Sequence, residues 1–204
     1  DTILKGQINI VQPKVGYRFG FDSVFLASFV NGYIKKYIKK KLLLADIGSG
    51  VGTISLIVAF KNDNVEITAI ENNEEYLKLA EENILKNDFN KKIKLVNQNI
   101  FNVNRNLTNY FDIVVSNPPY HSADGKLSNN ILRDTSKRII DLEKWLQISI
   151  SLLKNKGTLF IIFPTDILHK VLKYLEKNSG SFKIFPFRPN QNSSSKRLIL
   201  VAKK

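Results

Sequence analysis

The chain alternates short, nearly continuous apolar runs with longer stretches whose apolar residues return every third or fourth position. Leu42-Leu43-Leu44-Ala45-Asp46, Val65 to Ile70, Ile93 to Val96, Phe111 to Val115 and Thr158 to Phe163 are runs of the first kind and predict buried strands. Between them the helical rhythm predicts helices over Thr53 to Phe60, Glu74 to Lys86, Asp141 to Leu153 and Asp166 to Glu176. An earlier helix is predicted to start at Asp22 or Ser23, either a suitable N-cap, and to run to about Lys40. Its apolar face would carry Leu26, Val30, Tyr33, Ile34, Tyr37 and Ile38. A short strand, Ile8 to Gln12, opens the chain before a turn at Pro13 and Gly16. Two strands, Phe182 to Phe185 and Arg197 to Ala202, close it around the polar loop Pro189 to Lys196.

Strands that alternate with helices imply right-handed crossovers and parallel pairing. The expected fold class is α/β: a three-layer sandwich with a seven-stranded, mostly parallel sheet and an antiparallel last strand. The final two strands lack a helix between them and should form a hairpin. No repeat and no flexible linker interrupts the pattern, so residues 1–204 read as a single domain. Residues 1–41 form its lead and residues 42–204 its core. Ligands of such sheets lie beyond the carboxyl ends of the strands. That edge would gather Asp46 to Gly52, Glu71, Asn99 and Asn117 to Tyr120.

Composition narrows the chemistry. Cys is absent and His occurs only at positions 121 and 169, which excludes disulfides, thiolate ligands and thiol nucleophiles and leaves too few His for a His-based zinc site. No apolar run is long enough for a membrane helix and no signal peptide opens the chain, so a soluble, cytoplasmic protein is expected. The net charge is +13, and 25 of the 31 basic residues are Lys. A nucleic-acid partner explains this excess. So does a genome whose codons favour Lys, Asn and Ile, and composition does not choose between them. Lys35, Lys36 and Lys39 to Lys41 read as cations at a solvated helix C-terminus.

Two motifs carry chemistry. Asp46-Ile47-Gly48-Ser49-Gly50-Val51-Gly52 joins a strand to a helix, where glycines permit a sharp turn and close ligand approach, and the helix start offers N–H groups. Thr53 stands where a dinucleotide fingerprint wants its last Gly. Glu71 lies 19 residues past Gly52 at the end of the next strand, placed for the two hydroxyls of a ribose. The second motif, Asn117-Pro118-Pro119-Tyr120, follows a strand directly. Its prolines end the ladder and turn Asn117 and the Pro118 carbonyl toward the cleft.

Together these segments resemble class I S-adenosylmethionine-dependent methyltransferases that modify amino groups, with their Rossmann-like fold. The lead Gly16-Tyr17-Arg18-Phe19-Gly20-Phe21-Asp22-Ser23-Val24-Phe25-Leu26-Ala27 resembles more closely the bacterial tRNA1(Val) adenine N6-methyltransferases, which act next to the anticodon. The resemblance implies S-adenosyl-L-methionine as cofactor and tRNA as partner of a monomer without metal. Asp46, Gly48, Ser49, Gly50, Gly52, Glu71, Asn72, Asn99, Ile100 and Asn117 would hold the cofactor. Asp is frequent in the family where this chain has Asn99. Asn117 and the Pro118 carbonyl would accept the hydrogens of the amine while Tyr120 stacks on the base. Tyr17, Arg18, Pro119, Arg133 and Arg138 would meet the substrate. Phe19, Asp22 and Ser23 would close over the methionine end. Lys137, Arg188, Lys196 and Arg197 extend a basic rim. The polar segment His121 to Ile140 reads equally as a lid or as a solvated crossover.

Two other readings share these residues. Glutamine N5-methylation of a release factor uses the same Asn-Pro-Pro-Tyr, although that family carries a helical N-terminal domain. A non-catalytic RNA-binding module could keep the fold, although both motifs are intact here.

Overall fold

The structure, a computed structural model, describes residues 1–14, 18, 20–37, 41–118, 141–188 and 194–204. The expected opening strand is shorter than its apolar run. β1 (Thr2–Ile3) and β2 (Ile8–Asn9) form a small antiparallel pair, and Ile10, buried in the core, donates its N–H to Asp1 O at 2.9 Å just past it. The helix α1 (Phe21–Tyr37) follows. It starts one residue before Asp22, so neither Asp22 nor Ser23 caps it. Both lie in its first turn and reach outward, Asp22 to Arg197 and Ser23 to Asn117.

The alternating units then appear as expected: β3 (Leu42–Ile47), α2 (Thr53–Lys61), β4 (Val65–Glu71), α3 (Glu74–Lys86), β5 (Ile93–Asn97), β6 (Phe111–Ser116), α4 (Leu142–Leu152), β7 (Leu153–Pro164), α5 (Leu168–Leu175), β8 (Gly180–Phe187) and β9 (Arg197–Lys203). β7 begins earlier than its apolar run, because Leu153 pairs with Phe111 across an irregular register ahead of the regular ladder. The helix expected from Asp166 opens as a 3₁₀ turn, Thr165–Ile167, and becomes α-helical at Leu168. The strands pair in the order β5-β4-β3-β6-β7-β9-β8. β3 to β7 are parallel with their neighbours, whereas β9 runs antiparallel between β7 and β8. The hairpin β8–β9 is therefore present, with the last strand inside the sheet and β8 at its edge.

Side-chain alternation divides the core into two layers, as a sheet buried on both faces requires. Leu42, Leu44, Ile67, Ile113, Val115, Phe160, Ile162 and Ile199 pack beneath Leu26, Val30 and Ile34 of α1 and Ile57 of α2. On the other face, Ile47, Val114, Leu159, Ile161, Phe163 and Leu200 meet Trp145, Leu146 and Ile150 of α4 and Val171 and Leu175 of α5. The active edge is thereby clamped between two apolar layers.

One polar residue breaks the apolar face of α3. Asn83 is fully buried and its amide is saturated: Oδ1 accepts from Val11 N at 2.6 Å, and Nδ2 donates to Val11 O and Val51 O, both at 3.0 Å. One turn on, Asn87 accepts from Asn9 N and donates to Asn9 O. The pair pins the N-terminal segment to α3, and Asn83 also ties it to the loop before α2. Asn83→Leu should strand three buried backbone groups and cost about 3 kcal/mol in urea unfolding, while the exposed Asn87→Ala should cost about 1 kcal/mol.

Candidate active site

The turn between β3 and α2 is built to bend. Gly48, Gly50 and Gly52 have φ of +67°, +55° and +85°, in the left-handed region that other residues enter at a cost. At Gly48 a second constraint acts, since an added Cβ would lie 3.1 Å from the Trp145 ring. Trp145 is fixed in turn. Its Nε1 donates to Ser116 Oγ at 3.1 Å, and that hydroxyl donates to the Ile47 carbonyl at 3.0 Å. The ring is thus a buried floor beneath the loop. The single Trp of the chain was the only sequence signal for it.

The loop's N–H groups turn inward. Gly48 N and Ser49 N donate to Ile70 O at 2.9 and 3.1 Å, and Gly52 N donates to Ser49 O at 2.9 Å. Gly50 N donates to Glu71 Oε2 at 2.9 Å. Four of the loop's N–H donors are therefore already spent on the protein itself. Glu71 sits at the predicted strand end, with Oε1 accepting from Asn72 N and Asn73 N at 2.8 and 2.9 Å. A ribose at Glu71 would have to share or displace these contacts.

Asp46 lies beneath the loop and is fully buried. Its Oδ2 accepts from Ser55 Oγ at 2.7 Å and Ser55 N at 3.2 Å, while Oδ1 has no partner among the described residues. Burial raises its pKa from 3.8 to about 6, with the Ser55 hydrogen bonds opposing and the Glu71 charge adding to the rise. The hydroxyls of Ser49 and Thr53 are likewise buried without partners. Three orphaned polar atoms around one loop indicate a polar ligand there.

Across the cleft, Asn117 follows β6 at the edge. Its Nδ2 donates to Ser23 Oγ at 3.2 Å, which fixes the orientation of the amide and turns Oδ1 to the other side of it. Ser23, Gly48, Ser49, Gly50, Thr53 and Asn117 line a cleft of about 430 Å³ that includes its solvent-facing mouth. Val51, Ile54 and Tyr76 complete its wall, three residues that the sequence did not single out for ligand contact. Asn99 and Ile100 are not among the lining residues. Asn99 caps a short turn through Oδ1 and Phe101 N at 2.9 Å, and Ile100 is buried. Arg18 is exposed and paired with Asp1. Tyr17, Phe19, Pro119, Tyr120, Arg133, Lys137 and Arg138, with the rest of the expected lid, lie outside the described residues. Among the described residues no group of His, Asp and Glu could hold a metal, and no helix is long and apolar enough to cross a membrane.

The sequence profile of the methyltransferase small domain family matches residues 29–184. The chain belongs to that family. This methyltransferase domain is 28% identical over 179 residues to the tRNA1(Val) (adenine(37)-N6)-methyltransferase of Mannheimia succiniciproducens, covering 86% of this chain and 69% of that one. It is 29% identical over 168 residues to the protein of the same name in Bacteroides thetaiotaomicron, covering 81% and 67%. Among solved structures, it is similar to a methyltransferase from Pyrococcus furiosus, with TM-score 0.67, 22% identity and 99% and 91% coverage. A predicted O-methyltransferase from Agrobacterium tumefaciens superposes with TM-score 0.72 at 20% identity, covering 90% and 80%. These likenesses establish the methyltransferase fold.

The buried carboxyl of this methyltransferase gives a pH signature. Its native pKa of about 6 exceeds the unfolded value near 3.8, so the folded state holds the extra proton across that window. Stability relative to Asp46→Asn should therefore fall as pH rises from about 4 to about 6.5, by up to about 3 kcal/mol. Urea unfolding of both proteins over that range measures the difference. A flat difference would show that Asp46 is already ionised in the fold.

Proposed function

We propose that the chain transfers a methyl group from S-adenosyl-L-methionine to the N6 amine of an adenosine in tRNA, the nucleotide beside the anticodon of tRNA1(Val). The observation that carries this reading is Asn117, its Nδ2 held by Ser23 Oγ, across one cleft from the glycine loop. The names of the relatives in M. succiniciproducens and B. thetaiotaomicron support the choice of tRNA.

The cleft suits this cofactor by charge. Asp46 and Glu71 put two carboxyl groups under the loop, and the loop N–H groups point away from an incoming anion. A pyrophosphate would meet repulsion there, whereas a ligand bearing an ammonium and a sulfonium would not. Glu71 and Asn72 stand for the ribose, Ser49 and Thr53 for the polar amino-acid end, and Asn99 and Ile100 for the adenine side. When bound, the cofactor supplies an activated methyl group. The protein must then supply geometry. An adenine amine is weakly nucleophilic because its lone pair is delocalised into the ring. Acceptors at Asn117 Oδ1 and the Pro118 carbonyl take its two hydrogens and favour a tetrahedral nitrogen, releasing the lone pair. Such catalysis requires no strong base. Tyr120 stacks on the displaced base, and Arg133 and Arg138 meet the RNA backbone. All of these groups come from one chain, in keeping with a monomer working in the cytoplasm.

Incubation with labelled S-adenosylmethionine and either tRNA or a release factor, followed by mapping of the label, tests the reading. Label on an adenosine N6 is expected; label on a glutamine would replace RNA by protein as substrate. Asn117→Ala should lower turnover by on the order of 100-fold while cofactor affinity by calorimetry stays close to wild type. Ser23→Ala leaves the Asn117 amide free to rotate and should lower turnover about tenfold, with little change in KM for the cofactor.

A further inference from the structure

Apolar side chains exposed at the mouth of a charged cleft need a reason. Phe21, Phe25 and Phe29 follow one another at helical spacing on α1. Phe29 is packed, tilted 56° on Phe185 at 4.8 Å and edge-on to Phe187 at 5.8 Å. Phe25 lies almost parallel to Phe187, with centroids 5.1 Å apart and planes at 19°. Phe21 continues the column at 6.2 Å and 29°. Exposure rises outward along it, to 43% at Phe25 and 80% at Phe21. The docking of α1 is secured by Leu26, Val30, Ile34 and Phe29, so Phe21 contributes little to the core.

The position of the column is informative. Phe187 pairs with Arg197 in the β8–β9 ladder, and Arg197 Nε donates to Asp22 Oδ2 at 3.1 Å, next to Phe21. Two residues beyond Phe21, Ser23 contacts Asn117. The outermost ring therefore stands beside the reacting edge. Exposed Arg188 and Lys196 flank the Phe187–Arg197 pair in sequence, and exposed Arg18, paired with Asp1, precedes Phe21 by three residues, a setting that suits phosphates rather than an apolar partner.

We propose that Phe21, backed by Phe25 and Phe187, is a stacking platform for an unpaired base that flanks the target nucleotide. The site rests on the RNA substrate proposed above. A base has a π-face whatever its identity, so a column of near-parallel rings binds it without reading sequence, and the neighbouring cations take its phosphate. The platform would hold the strand on one side while the target base leaves its stack for the Asn117 pocket.

The test uses the full chain with S-adenosylmethionine and an anticodon stem-loop oligoribonucleotide. Phe21→Ala should raise KM for the RNA about tenfold, with kcat and cofactor affinity near wild type. Phe21→Leu, which keeps apolar bulk without a π-face, should not restore KM. Phe21→Trp should restore it, and its emission, corrected for Trp145 with the wild type, should be quenched by RNA. Unchanged KM in Phe21→Ala, full rescue by Phe21→Leu, or an unquenched Phe21→Trp each overturns the platform; rescue by Leu would indicate a protein-like apolar contact. The RNA reading fails separately: a wild type that methylates no RNA while Phe21→Trp is still quenched loses the proposed substrate and keeps the binding site. Loss of both methylation and quenching removes both.

Discussion

The end of β4 governs this molecule. Two adjacent acceptors there, the Ile70 carbonyl and the Glu71 carboxylate, hold three successive amides of the glycine loop. That stitching forces the left-handed turns at Gly48 and Gly50, directs Thr53 into the first turn of α2, and leaves Asp46 sealed beneath. Trp145 props the loop from the opposite layer through Ser116, and Asn83 ties its far side to α3 and the N-terminal segment. Elements from both faces of the sheet thus converge on one turn. The cleft is as rigid as that convergence, which suits a reaction that depends on positioning.

The same arrangement gives the protein two electrostatic personalities. Its surface carries a large positive excess, yet two carboxyl groups, Asp46 and Glu71, lie behind the glycine loop that lines its cleft. Part of the excess is structural. Lys92 caps the carbonyls of Ala59 and Asn62, Lys154 pairs with Asp112, and Lys204 bonds the carbonyls of Ser151 and Leu153. All three lie at the edge where the parallel strands begin, away from the cleft. Codon preference and RNA binding are therefore not exclusive accounts of the lysines: some close strand ends, whereas Arg197 pairs with Asp22 at the start of α1.

The fold was legible because periodicity reports burial, and both faces of this sheet are buried. Helix α3 was predicted to the residue, since its apolar stripe and its Asn73 cap agree. Boundaries slipped where tertiary contacts extend a strand, as at Leu153, or where the partner strand is only two residues long, as for β2 beside β1. The chemistry-bearing motifs were legible because glycine and proline fix the backbone locally. Their hydrogen-bond partners were not, because these come from distant positions. The donors of the glycine loop face inward only because Glu71 arrives from the next strand, and Ser23 serves Asn117 from α1. Asn83 had a visible signal, a polar residue among Leu77, Ala80 and Ile84 on the buried face of α3. Trp145 had none beyond its rarity.

The insertion of β9 between β7 and β8 has a consequence for how the molecule is made. During synthesis, β7 leaves the ribosome long before the only strand that covers its outer edge, and β8 emerges with no partner at all. Until residues 197–203 arrive, a long apolar edge stays open, the kind of template that invites pairing with other chains. Burial of Leu198 to Ala202 then closes both gaps in one step. Loss of even this short stretch would deprive two strands, rather than one, of their neighbour, and would leave Phe187 without Arg197 opposite it and Asp22 without its ion-pair partner.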